Sequence, residues 1–272
     1  MTMIEKFSQL NKENKAILAT NFYNFETLKG VLLAAKQTKS SIILQLTQSS
    51  IDYMGLEIAV NMARTALKYY QVEGWLHLDH GASVQLAKRC LDAGFDSVMY
   101  DGSELPLSEN IKNTRQVVEY AEHYNANVEA ELGYIPKLGQ NTNKKGYTEV
   151  NDAIKFVKET GINSLAVAIG TVHGFYKGTP KLNFERLKEI KKAVKIPLVL
   201  HGGSGIPDAD LKMAVANGIN KINVATEIKN IFTKTIKQEL NKSDEIDLRK
   251  TFPPSIDAIT NLISKKILTI NN

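Results

Sequence analysis

The chain of 272 residues has a single cysteine, Cys90, so no disulfide can form within it. That poverty suits a reducing compartment, and a cytoplasmic location is the expectation. No run approaches the roughly 18 apolar residues of a membrane span, so no membrane partner is expected. The opening Met1-Thr-Met-Ile-Glu-Lys lacks the apolar core of a signal peptide. No Ser/Pro/Gly-rich linker and no low-complexity segment divides the chain, which reads as one domain over residues 1–272. Charge of one sign is also missing: the net charge is +5, but Lys and Glu are mixed along the chain. The densest basic run, Lys188-Glu-Ile-Lys-Lys-Ala-Val-Lys195, reads as the solvated face of a helix rather than a nucleic-acid stripe. A mildly basic balance suits an anionic small molecule.

What is present is alternation. Apolar, β-branched runs fall at 16–22, 41–46, 74–79, 97–100, 127–132, 164–169, 197–201 and 221–224. Between them, helical periodicity marks 26–37, 56–70, 83–93, 107–125, 150–160, 184–193, 208–217 and 226–240. Gly94, Gly161 and Gly218 stand where helices end. Eight such βα units predict an α/β fold, a (β/α)₈ TIM barrel. The doubly wound alternative lacks its Gly-rich loop after the first strand. An apolar-periodic stretch at 256–267 predicts an extra C-terminal helix, packed on the barrel or on a neighbouring subunit.

Three of the five histidines close apolar runs, and each is followed by glycine: His80-Gly81, His173-Gly174 and His201-Gly202. In a parallel barrel all strand ends open on one face. Three imidazoles delivered there can converge on one ion, the pattern of a catalytic zinc site. Taken singly, each reads first as a hydrogen-bonded histidine at the edge of a core; three at equivalent strand ends reverse that reading in favour of a metal. His77, inside a strand, reads as structural, and His123 as a surface residue. Asp79 precedes His80, and at a strand end both side chains can reach a site, as ligand, supporting partner or acid/base. Glu129 and Glu131, two apart, share one face of a strand. Buried carboxylates there call for a cation, either a metal or a barrel lysine, and Asp101 ends the preceding strand. His201-Gly-Gly-Ser-Gly205 and Ile222-Asn-Val-Ala-Thr226 follow the seventh and eighth strands, where barrels often hold phosphate. An ordinary turn and a Thr N-cap would read the same way.

Together these segments resemble the class II, metal-dependent ketose-bisphosphate aldolases, of fructose- or tagatose-bisphosphate type. The resemblance covers nearly the whole chain. It rests on His77-Leu-Asp-His-Gly81, Ser97-Val-Met-Tyr-Asp-Gly-Ser103, Val128-Glu-Ala-Glu-Leu-Gly133, Ala168-Ile-Gly-Thr-Val-His-Gly174, Leu198-Val-Leu-His-Gly-Gly-Ser-Gly-Ile-Pro207, Lys221-Ile-Asn-Val-Ala-Thr-Glu227 and Asp247-Leu-Arg-Lys250. The Asn-Val-Ala-Thr wording is closer to the tagatose-type branch. The resemblance implies Zn²⁺ on His80, His173 and His201, with Glu131 an additional or alternate ligand and Asp101 beside that position. It implies Asp79 as acid/base and Asn223 as the residue that holds the ene-diolate. Gly174, Gly202, Ser204, Ala225 and Thr226 would cradle a sugar phosphate. Arg249 would reach the far phosphate, from its own or another subunit, and Asn24 and Thr47 are polar substrate contacts. Carbonyls of Val172, Gly174 and Gly202 would hold a monovalent cation, Na⁺ or K⁺. A homodimer or homotetramer is implied.

One segment departs from the pattern. The family has a longer loop with Gly-Gly-x-Glu-Asp after the Glu131 strand, and its glutamate moves the second proton. Here Gly139 and Gln140 stand at the glutamate and aspartate positions. Glu149 is the nearest downstream carboxylate. The expected activity is reversible cleavage of a ketose 1,6-bisphosphate to dihydroxyacetone phosphate and an aldehyde such as glyceraldehyde 3-phosphate. An aldolase of changed substrate, or a relative that binds metal and sugar phosphate with little turnover, stands beside it.

Overall fold

The computed structural model of the protein describes residues 1–136, 146–176 and 178–271. Eight parallel strands close into a barrel in chain order, with β1 paired to β8. They are β1 (Ile17–Asn21), β2 (Ile42–Leu46), β3 (Gly74–Gly81), β4 (Ser97–Tyr100), β5 (Asn127–Leu132), β6 (Ser164–Val167), β7 (Leu198–Leu200) and β8 (Ile219–Val224). The helices are α1 (Met3–Glu13), α2 (Phe25–Gln37), α3 (Gln48–Met54), α4 (Leu56–Tyr70), α5 (Val84–Asp92), α6 (Leu107–Ala121), α7 (Val150–Thr160), α8 (Phe184–Ala193), α9 (Asp208–Ala216), α10 (Thr226–Leu240), α11 (Leu248–Thr251) and α12 (Pro253–Asn271). The expected (β/α)₈ barrel is the fold observed. No helix among the described residues is long and apolar enough to cross a membrane.

Two cores follow from strand alternation. Outward residues such as Leu18, Leu44, Leu76 and Val98 pack under the helices. Inward Ile17, Ala19, Ile43 and Trp75 meet Met3, Phe7 and Leu10 of α1, which caps the N-terminal mouth. The sequence reading contained no α1. Its signal was present: Thr2 and Glu5 form a capping box, and the apolar residues recur at helical spacing. The C-terminal helix is longer than the expected 256–267, spanning Pro253–Asn271, and packs on α2 and α10 of its own barrel.

Above the apolar plug the barrel interior turns polar. His77 Nδ1 lies 2.7 Å from Ser97 Oγ, and Asn127 Nδ2 donates to the same oxygen at 2.9 Å. Lys221, fully buried, donates to Glu129 Oε2 at 2.8 Å. Bulky aliphatic side chains usually fill this level of such a barrel. Here it is a charged floor beneath the C-terminal rim.

Candidate active site

β3 carries the local irregularity that builds the rim. His77 and Leu78 pair with Ser97 and Val98, but Gly81 pairs with Tyr100, so β3 holds one extra residue. His80 sits at that bulge with φ +52°, the left-handed region. A non-glycine residue there costs on the order of 1–2 kcal/mol. In a regular strand Asp79 and His80 would face opposite sides. The left-handed turn brings both onto one cavity of about 240 Å³, a small-molecule volume, together with His173, Gly174, Gly202, Ser204 and Asn223.

His80 is fixed by Asp101, with Nδ1 lying 2.7 Å from Asp101 Oδ2. His80 Nε2 then faces His201 Nδ1 at 2.9 Å and His173 Nε2 at 3.1 Å. His201 in turn presents Nε2 to Glu129 Oε1 at 2.9 Å. Donating that proton to the carboxylate leaves Nδ1 as a lone pair aimed at the other imidazoles. Converging lone pairs require a proton or a metal cation between them. Nitrogens bound tetrahedrally at about 2.0–2.1 Å lie roughly 3.4 Å apart, so the spacing fits a metal with small adjustment. Glu131 Oε2 is buried without a hydrogen-bond partner and lies 3.7 Å from His201 Nδ1. An orphaned carboxylate oxygen beside three imidazoles is a donor set that could hold a divalent cation. Candidate metal groups are His80/His173/His201 and His80/Asp101/Glu131, which share His80.

The electrostatics are those of a crowded ionic site. Burial, then the nearby Asp101 charge, pushes Glu131 up to about 8. Burial opposes the charge on His80, but Asp79, the Asp101 hydrogen bond and Glu131 outweigh it and raise His80 to about 9. Burial also opposes ionisation of Asp79. The nearby His80 first, then Lys221 and the Asn21 hydrogen bond, more than offset it and hold Asp79 below the usual carboxylate range. Asp79 accepts from Asn21 Nδ2 at 3.0 Å and Asn223 Nδ2 at 3.3 Å.

Part of the cavity wall is glycine backbone, at Gly174 and Gly202. Gly202 has φ +69°, and a Cβ there would stand 2.3 Å from the Val172 carbonyl oxygen, so only glycine fits. The Gly202 carbonyl accepts the Tyr176 hydroxyl at 2.9 Å. Thr226 opens α10, with Ala225 beside it, and both line the cavity.

Several expected residues fall elsewhere. His173 lies in irregular chain beyond β6, after the expected strand at 164–169 as the sequence implies. Glu129 resolves in favour of the lysine pairing, through Lys221. His77 is buried and structural, and His123 is exposed. Thr47 lines the cavity, but Asn24 does not: its side chain accepts the Thr27 N–H as the N-cap of α2. Arg249 is exposed on α11 and paired with Asp247 at 2.9 Å, away from the cavity wall. Glu149 is engaged by Arg186 at 2.9 Å. Gly139 and Gln140 lie outside the described residues. The reading missed Asn21, Tyr23, Ser49 and Lys229, all on the cavity wall. Asn21 alone had a signal, as a polar residue at a strand's C-terminal end.

The floor makes a stability prediction. Lys221→Met leaves the Glu129 carboxylate buried with no lysine partner. Urea denaturation should show a loss of about 3 kcal/mol, most of it regained in Lys221→Met/Glu129→Gln.

Fold and rim define a class: a TIM-barrel enzyme built around a candidate divalent-metal centre. Comparison places it within that class. The family model "Fructose-bisphosphate aldolase class-II" matches residues 1–272. Fructose-bisphosphate aldolase of Geobacillus stearothermophilus is 40% identical over 265 residues, covering 95% of this chain and 92% of that protein. The enzyme of the same name from Helicobacter pylori is 37% identical, covering 94% and 93%. The crystal structure of the YdjI aldolase from Escherichia coli K12 superposes with a TM-score of 0.88 at 33% identity, covering 98% of this chain and 96% of that one. The chain belongs to the class-II fructose-bisphosphate aldolase family, a family of metal-dependent lyases.

Proposed function

We propose that the protein reversibly cleaves a ketose 1,6-bisphosphate, of fructose or tagatose type, to dihydroxyacetone phosphate and an aldehyde such as glyceraldehyde 3-phosphate. The observation that carries this reading is the bulge at His80, which sets the Asp79 carboxylate beside three converging imidazoles in one cavity. Cleaving a C–C bond next to a ketone needs a base on the hydroxyl of the departing aldehyde and stabilisation of the electron-rich oxygens left behind. Asp79, held ionised, takes the C4 hydroxyl proton and returns it during condensation. Asn21 and Asn223 keep Asp79 oriented, and the Asn223 amide also donates toward the ketone half. His80, His173 and His201 would hold Zn²⁺, with Glu131 additional or alternate and Asp101 orienting His80. When bound, that ion supplies the Lewis acidity the reaction needs.

Gly174, Gly202, Ser204, Ala225 and Thr226 bind one phosphate through backbone N–H groups and the start of α10. Val172, Gly174 and Gly202 carbonyls offer a monovalent-cation position beside it. Thr47 contacts the sugar hydroxyls. Arg249, free of its own cavity, reaches the far phosphate of a neighbouring copy in a homodimer or homotetramer. Lys229 adds positive charge to the cavity wall, so Lys229→Ala should raise KM about five- to tenfold with kcat little changed in steady-state assays.

The test is a coupled assay across a panel of ketose phosphates, with and without a chelator. Chelator-sensitive cleavage of at least one is expected, and cleavage of none would sink the reading. The Gly139-Gln140 departure favours a second reading, a binding protein of little turnover, because Arg186 already engages Glu149. Deuterium exchange into dihydroxyacetone phosphate separates the two. Fast exchange shows that another group or water moves the second proton, and no exchange supports the second reading.

A further inference from the structure

The helix α12 turns Ile256, Ile259, Ile263, Ile267 and Ile270 inward. Lys266 is buried on the same helix at 5% exposure, an unfavourable place for an ammonium without a partner. Its Nζ lies 3.2 Å from Glu227 Oε1, in the first turn of α10. The same oxygen accepts the Gly205 N–H at 3.1 Å, and the Glu227 N–H donates to Ser204 Oγ at 3.3 Å. The glycine-rich turn after β7 and the start of α10 are thus clasped in both directions. Glu227 Oε2 is buried without a hydrogen-bond partner. The carboxylate therefore depends on Lys266 to stay turned inward rather than swing to water and release Gly205.

We propose that Lys266, acting through Glu227, is a positioning residue that holds the 202–205 turn against α10 and so sets the affinity of the site for phosphate. The inference rests on the phosphate role proposed above for residues 202–205 and 225–226. Backbone donors bind an oxyanion tightly only while their spacing is fixed, and this clasp joins the two segments that carry them.

The test is calorimetry of inorganic phosphate binding to the zinc-reconstituted protein, with KM and kcat measured beside it. Lys266→Met should weaken phosphate about tenfold and raise KM similarly, with kcat within about twofold, and Lys266→Arg should restore most of the loss. Where Lys266→Met does not fold, Lys266→Met/Glu227→Ala removes clasp and charge together, and the same tenfold weakening is expected. Unchanged phosphate affinity in either folded variant overturns the proposal, as does a wild type that binds no phosphate. Because calorimetry needs no turnover, a wild type that binds phosphate but cleaves no ketose phosphate sinks the aldolase reading alone.

Discussion

Asp79→Asn is expected to lower kcat about a thousandfold while the zinc content stays at its wild-type value. Asparagine keeps the shape of the side chain and still fills the space between Asn21 and Asn223. It cannot take a proton. General acid–base residues contribute roughly 10²–10⁴-fold, and the Asp79 carboxylate is buried at 6% exposure and held ionised by its surroundings. Steady-state kinetics with metal analysis checks this, and a kcat within about tenfold of wild type would remove Asp79 from the acid/base role. A drop in zinc content alongside kcat would instead place Asp79 in the metal site.

His80→Ala is expected to weaken zinc binding by at least about a thousandfold and to abolish cleavage at stoichiometric zinc. His80 is common to both candidate metal groups found among the described residues, so neither survives its loss. Its orientation is pre-set: Asp101 takes Nδ1, which would leave Nε2 for an ion. Partners of this kind alone are worth 10–100-fold in metal affinity, and the ligand itself more. Competition with a chelating dye reads the affinity. A ligand role would account for the strained φ of +52°, which turns His80 onto the cavity it shares with Asp79.

The barrel was legible because its signal is local: apolar runs and helical stretches alternate, and each names its own element. The three His-Gly pairs were legible for the same reason, once parallel strands put their ends on one face. What the sequence hid is pairwise. Nothing local says that Glu129 finds Lys221 across the barrel while Glu131, two residues on, faces the imidazoles. The bulge in β3 depends on register with β4, which no single-strand pattern carries. Asn24 and Asn21 are both polar residues near the end of β1. The helix α2 takes Asn24 as its cap and leaves Asn21 for Asp79. Lys229 became a cavity residue only through the placement of α10, and Glu227 acquired a partner in Lys266 only because α12 folds back on its own barrel.

A metal-dependent C–C lyase site at the rim must lose and regain its rate with its metal. The most direct measurement is a zinc titration of chelator-stripped protein, with cleavage of fructose and tagatose 1,6-bisphosphates followed at each step. The rate should rise linearly with bound zinc to one equivalent per chain and reach at least about 1 s⁻¹ on one of the two substrates. A rate that ignores bound zinc, or full zinc occupancy with no cleavage of either, would contradict a metal-dependent lyase site.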